Sequence, residues 1–325
     1  MLIYQILLLL GGFGALYFGA DWMVRGAARL ESSLGLSSIV IGLTVVSLGT
    51  SAPELVVAIL ATLQGSADLA VGNVLGSNLA NIGLILGTTA LVHPLIVAER
   101  VVKNEIPIML FLTIILYPLI IDLEVGRLDG IFLFFLLVLY LTYIFHRGKK
   151  ASSVLTRPYT ELKPHVKAEQ RKTILLDVGL LVAGALGLVL GGKAIVESAT
   201  YLARFLGVTE LVIGLTVVAV GTSLPELATS LMAAIRKKTD IAVGNVIGSN
   251  IFNMGGVLGV AGTVKPIAVD PGVLWVEFPA VFVLSVLVLV VPLISIGKGR
   301  FRIRRWEGGI LLGAYLWLGY CFLTS

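Results

Sequence analysis

Residues 42–55 read GLTVVSLGTSAPEL, and residues 214–227 read GLTVVAVGTSLPEL. Each stretch sets a proline and a glutamate, Pro53–Glu54 and Pro225–Glu226, inside a strongly apolar run, and the two lie 172 residues apart. A carboxylate is costly in apolar surroundings, and proline disrupts a helix interior. A chain that makes this arrangement twice is using it.

The wider composition names the solvent. Only 13% of the 325 residues are charged and 57% are hydrophobic, with a mean hydropathy of +1.00. A soluble domain carries about 25% charged residues. Apolar runs near the ~20 residues that span a bilayer recur from end to end. They fall at 2–22, 37–63, 69–92, 105–123, 128–146, 174–203, 209–235, 241–264, 273–296 and 306–323. The expectation is an all-α integral membrane protein with ten transmembrane helices. The first run has no basic n-region and continues into Asp21 and Trp22, so it is expected to be a retained helix. The single cysteine, Cys321, leaves no intrachain disulfide.

The placement of basic residues orients the spans. Numbering the connections one to nine, the odd ones hold 20 Lys and Arg, eight of them in 147–172, and the even ones hold three. Positive residues favour the cytoplasmic side. The chain is thus expected to lie in the cell membrane as a multi-pass protein, with both termini extracytoplasmic and the 147–172 linker cytoplasmic. Topology accounts for the basic clusters, so no nucleic-acid partner is expected. The lipid bilayer is.

Residues 39–97 laid over 211–269 without a gap match at 30 of 59 positions, and a weaker register continues upstream. The unit is five spans: a first repeat at 1–146, the linker at 147–172, and a second repeat at 173–325. Five is odd, so the second unit enters the membrane from the opposite face, giving two inverted five-helix repeats. Such symmetry serves alternating access in secondary transporters, with the substrate near the midplane. It argues for a carrier, and against an enzyme or a channel.

Within GTSAPEL, Thr50 and Ser51 share a helical face with Glu54. Pro53 has no N–H for the carbonyl of Gly49, so backbone oxygens around 47–50 are free to face something else. Thr222, Ser223, Pro225, Glu226 and the carbonyl of Gly221 repeat the arrangement. Downstream, GNVLGSNLAN at 72–81 is answered by GNVIGSNIFN at 244–253. Here Ser77 and Asn81 are i,i+4 neighbours, as are Ser249 and Asn253, while Asn73, Asn78, Asn245 and Asn250 serve either as ligands or as glue between helices. The glycines of both motifs allow close helix approach. Asp21, Lys193 and Glu197, near span ends, are expected to snorkel or pair. Every atom these motifs offer is oxygen or amide, without His or Cys. Hard cations suit this set: Ca2+ takes about 6–8 oxygens, Mg2+ demands stricter geometry, and Na+ can share the ligands. No resident cofactor is expected. Two buried acids would also suit an intramembrane aspartyl protease, but both are Glu, each in an oxygen-rich duplicated motif.

GTSAPEL…GNVLGSNLAN and GTSLPEL…GNVIGSNIFN resemble the two α-repeats of the Ca2+/cation antiporter superfamily, in particular prokaryotic Na+/Ca2+ exchangers. The resemblance spans essentially the whole chain. It implies that Glu54 and Glu226 are the principal Ca2+ ligands, and that Thr50, Ser51, Thr222, Ser223, Ser77 and Ser249 supply flanking oxygens to Na+ or Ca2+. The backbone carbonyls of Ser47 and Ala219 would join them, with Asn81 and Asn253 closing the sites. Some relatives carry aspartate at one of those last two positions. The Asn pair here leaves two central carboxylates rather than three, which weighs against potassium dependence. The first and sixth helices, lined with glycine, would slide against the rest. The implied activity is antiport of Na+ against Ca2+ by a chain working as a monomer, with an H+/Ca2+ antiporter of the same fold as the alternative.

Overall fold

Backbone groups in lipid must be satisfied within the segment that carries them, which leaves apolar runs little choice but helix. The computed structural model describes residues 1–153, 164–208, 219–294 and 301–324, and helices fill most of them. In chain order they are α1 (Leu2–Leu34), α2 (Ser38–Thr50), α3 (Ala52–Gln64), α4 (Leu69–Val92), α5 (Val101–Ile120), α6 (Arg127–Ser153), α7 (Pro164–Phe205), α8 (Leu224–Ile235), α9 (Thr239–Val264), α10 (Pro271–Ile294) and α11 (Arg305–Thr324). Among the described residues seven helices are long and apolar enough to cross a membrane, and the α2–α3 pair, bent by 44° at its break, is long and apolar enough when taken together. Helices α8 and α11 lie within the expected seventh and tenth runs. Residues 209–218 of the seventh run and 154–163 of the linker lie outside the described residues. Helix enters the expected linker from both sides, to Ser153 and from Pro164.

Helices differ in how much protein covers them. Of the most apolar stretch, 94% is buried in α9 and 72% in α4, but only 22% in α1 and 28% in α7. The motif helices therefore form the centre, and α1 and α7 present faces such as Leu7, Leu10, Leu186 and Leu190 outward. These two peripheral helices pack along each other. A Cβ on Gly19 would sit 2.9 Å from the Gly184 carbonyl oxygen, and one on Gly184 would sit 2.7 Å from the Met23 nitrogen. Asp21, 6% exposed, ties α1 to Arg236 just beyond α8 and pairs with Arg25 at 2.8 Å. Lys193 and Glu197 are exposed within α7.

At the centre, α2 crosses α9 backbone to backbone. A Cβ on Gly244 would lie 3.0 Å from Gly42 Cα, and one on Gly248 would lie 2.7 Å from the Leu43 carbonyl oxygen. The motif glycines 83 and 255 also meet neighbouring helices, whereas Gly72 and Gly76 meet nothing within 4 Å among the described residues.

The strictly all-α expectation needs amending. Two antiparallel ribbons are present: β1 (Leu95–Val97) with β4 (Phe301–Ile303), and β2 (Glu124–Val125) with β3 (Ile267–Ala268). Their origin is local. Pro94 and Pro266 push His93 (φ −142°, ψ 120°) and Lys265 (φ −154°, ψ 137°) out of helix into extended backbone. The segment after α4 then pairs with the one before α11, and the segment after α9 pairs with the one before α6. Each sequence half lends a strand to the other.

The α1–α7 seam is a direct test of this packing. Gly184→Val should cost about 1–3 kcal/mol by overpacking and lower both monodisperse yield and melting midpoint in detergent. Gly11→Ala, with no neighbour within 4 Å among the described residues, should leave both unchanged.

Candidate cation site

Both glutamates are placed by the same local device. The helix breaks at Ser51 (φ −83°, ψ 7°) and again at Ser223 (φ −89°, ψ 5°). A new helix begins at the next residue with proline in its first turn, where the missing N–H costs nothing. Glu54 and Glu226 follow immediately, in the first turns of α3 and α8, where the exposed N–H groups and the helix dipole favour negative charge. Each is 1% exposed. The π-turns at Ala80–Leu86 and Asn253–Leu258 similarly occupy matched places in α4 and α9.

The two breaks meet. Ser51 Oγ donates to Glu226 Oε1 across 3.0 Å, joining the residue beside one helix start to the acid of the other. Thr50 Oγ1 lies 3.0 Å from Asn245 Oδ1, 3.2 Å from the Ser47 carbonyl and 3.5 Å from Ser249 Oγ. Asn253 Nδ2 donates to Asn78 Oδ1 at 3.1 Å. Of the expected site residues, Ser47, Thr50, Ser51, Glu54, Ser77, Asn81, Ser223, Glu226, Ser249 and Asn253 are all buried, and Thr222 is half-buried. Ala219 opens the helical turn Ala219–Gly221. Ser47 turns its hydroxyl back to the Leu43 and Thr44 carbonyls, so only its backbone oxygen faces onward, and that oxygen already receives Ser51 N–H at 2.9 Å. Hydrogen bonds from Ser51 and Thr50 bring Glu226, Asn245 and Ser249 together. Among the described residues no hydrogen bond joins Ser77 or Asn81 to that set.

Buried polar groups normally have partners. Here many lack one among the described residues: both oxygens of Glu54, Glu226 Oε2, Ser223 Oγ, Asn250 Oδ1, Asn253 Oδ1 and both side-chain heteroatoms of Asn81. Most are oxygens, and they come from the duplicated motifs. Among the described residues no three His, Cys, Asp or Glu side chains converge. The formal charge is thus two carboxylates, surrounded by neutral oxygens. Such a donor set fits a hard cation of the Ca2+ or Na+ kind.

Two of the asparagines read as ligands or glue act as glue, and one serine escaped the sequence reading. Asn73 Nδ2 donates to the Glu54 carbonyl at 3.1 Å and Asn245 Nδ2 to the Glu226 carbonyl at 3.3 Å, so these asparagines hold the backbone of the acids. Ser230 Oγ, fully buried, receives Asn245 Nδ2 at 3.0 Å. Ser230 stands four residues after Glu226, a spacing that could have revealed it. Its counterpart in the first copy is Ala58, so a search for matched residues passes it by.

Comparison with known proteins follows the same lines. The family described as sodium/calcium exchanger protein matches residues 4–146 and 176–323. The inner membrane protein YrbG of Escherichia coli is 40% identical, over 98% of this chain and 97% of its own. The sodium/calcium exchanger MaX1 of Methanosarcina acetivorans is 33% identical, over 97% of each. Among solved structures, the sodium-calcium exchanger NCX_Mj, soaked with 2.5 mM Na+ and 1 mM Sr2+, superposes with a TM-score of 0.83 at 32% identity, covering 100% of this chain and 99% of that one.

Proposed function

The chain belongs to the sodium/calcium exchanger protein family, a family of transporters, and we propose that it exchanges Na+ for Ca2+ across the cell membrane by alternating access. One observation carries the reading. Two buried glutamates, one from each duplicated motif, open adjacent helix starts that are joined by the Ser51–Glu226 hydrogen bond, amid buried oxygens without partners. Glu54 and Glu226 are the principal ligands. Thr50, Ser51, Thr222, Ser223, Ser77, Ser249, Asn81 and Asn253 supply neutral oxygens, with the backbone oxygens of Ser47 and Ala219.

Charge arithmetic turns this site into a carrier. Two carboxylates are neutralised by one Ca2+ or by two Na+, and holding both at once would leave uncompensated positive charge in a low-dielectric centre. The ions therefore compete for one alternately exposed site, and that competition is antiport. If a third Na+ moves per Ca2+, each cycle carries one net charge, worth about 2.3 kcal/mol per 100 mV.

The proposed topology is ten spans in two inverted repeats, 1–146 and 173–325. Both termini lie outside, and the 147–172 connector faces the cytoplasm. The basic-residue asymmetry supports it. So do the matched helix breaks and the exchanged β-strands, in which each half gives the other the same structural part. A single chain holds both glutamates, so a monomer suffices. Sodium as counter-ion draws support from MaX1 and NCX_Mj, both sodium/calcium exchangers by name.

Three measurements in proteoliposomes test this. Glu54→Gln and Glu226→Gln should each reduce 45Ca2+ flux to background while the protein still inserts and remains monodisperse; wild-type flux in either would remove the ligand assignment. An imposed Na+ gradient should drive 45Ca2+ uptake, whereas a pH gradient without Na+ should not; the reverse result would make the protein an H+/Ca2+ antiporter. Protons compete with cations for the carboxylate oxygens, so uptake should fall steadily as both sides are taken from pH 7.5 to pH 5, and a flat profile would contradict the two-glutamate site.

A further inference from the structure

Among the described residues Asn245 makes hydrogen bonds that its counterpart Asn73 does not, and one of them crosses between the two sequence halves. Its side chain is fully buried on α9. The amide nitrogen donates to the Glu226 carbonyl at 3.3 Å and to Ser230 Oγ at 3.0 Å, both in α8. A backbone carbonyl can only accept, so the nitrogen must face α8, which turns Oδ1 the other way. There it meets Thr50 Oγ1 at 3.0 Å, at the end of α2 in the opposite half. A hydroxyl has one proton to give. Donated to Asn245 Oδ1, that proton leaves the lone pairs of Thr50 for a cation, with Ser249 Oγ 3.5 Å away.

We propose that Asn245 is a positioning residue for the cation site: it locks the helix start carrying Glu226 to the Thr50 hydroxyl of the other half, and it sets that hydroxyl with its oxygen toward the ion. The role rests on the exchange reading above and deepens it, since Asn245 itself need not touch the cation. Asn73 has the simpler task. It holds the Glu54 carbonyl at 3.1 Å, and among the described residues no hydrogen bond joins it to Thr222. Among the described residues the cross-half lock is therefore present on one side of the duplication only.

Kinetics of Na+-driven 45Ca2+ uptake in proteoliposomes separate positioning from bulk structure. Losing a buried hydrogen-bonded amide of this kind should raise half-saturating Ca2+ about tenfold, with the maximal rate per inserted protein changed less than about twofold. A purely structural residue would instead lower the maximal rate and leave half-saturation unmoved. Asn245→Ala and Thr50→Val should be strongly non-additive in half-saturating Ca2+, because each removes the same lock. Asn73→Ala and Thr50→Val should be additive. Should Asn245→Ala give no folded protein, Asn245→Ser carries the same cycle, since serine cannot span Glu226 and Thr50 together. Additive effects of Asn245 and Thr50, or an unchanged half-saturation, overturn the positioning role alone. A wild type without gradient-driven uptake overturns the exchange reading and this role with it.

Discussion

Two carboxylates enclosed by lipid-embedded helices set the terms for everything packed around them. A charge at membrane depth costs at least about 2.5 kcal/mol on insertion scales, and a lone buried carboxylate is relieved by a counter-charge, by donors or by taking up a proton. The fold supplies part of the remedy through backbone. Breaking α2 from α3 at Ser51, and the chain before α8 at Ser223, places Glu54 and Glu226 over helix N-termini. A break exposes backbone polar groups, which membrane depth tolerates only inside protein or beside a wet cavity. The broken segments must therefore sit at the centre, and they do, with α2 pressed against α9 through Gly42 and Gly244. Motif, break, burial and small residues are consequences of one requirement.

The rest of the bundle follows from having to enclose that centre. Helices α4 and α9 are the most protein-covered, and α1 with α7 forms an outer pair whose glycine seam brings the backbones together. That pair is tied to its surroundings by polar contacts: Asp21 with Arg236, Glu31 with Lys238 at 3.8 Å, and, within the pair, Ser33 with Asp177 at 3.0 Å. Asp21 and Asp177 are buried, so their partners weigh more than those of an exposed ion pair such as Lys103–Glu99.

The legible part of this architecture was the part written twice. The helical runs and the burial of the motif residues could be read because Pro53, Glu54, Gly72, Ser77 and Asn81 have counterparts at a fixed offset, and because lipid leaves helix as the default. The illegible part was contact between copies. Nothing in the spacing of GTSAPEL says that Ser51 will reach Glu226 rather than Glu54, since on a helix Ser51 and Glu54 share a face. The break rotates Ser51 off that face, and only packing decides what it meets. The ribbons were hidden for a similar reason. Strands of two or three residues carry no periodicity, and the local signals were Pro94 and Pro266. Ser230 and the clamp of Asn245 were invisible because they depend on how α8 lies against α9.

The contacts that differ between the copies carry information that the matching ones do not. On the proposed inverted arrangement, a structure obeying its pseudo-two-fold axis throughout would present its site equally to both faces of the membrane. A carrier in any one state cannot do that. Ser51 donates to Glu226, yet Ser223 Oγ and both oxygens of Glu54 lack partners among the described residues. Asn245 bonds Thr50 across the halves, whereas Asn73 stays within its own. Among the described residues Glu226 is thus the acid with a side-chain donor, on Oε1, and Glu54 the acid without one. On the proposed alternating-access reading, a change of access exchanges these roles between the two motifs; the duplication gives each half the acid, the Thr–Ser pair and the asparagine, while Ser230 has only Ala58 as its counterpart.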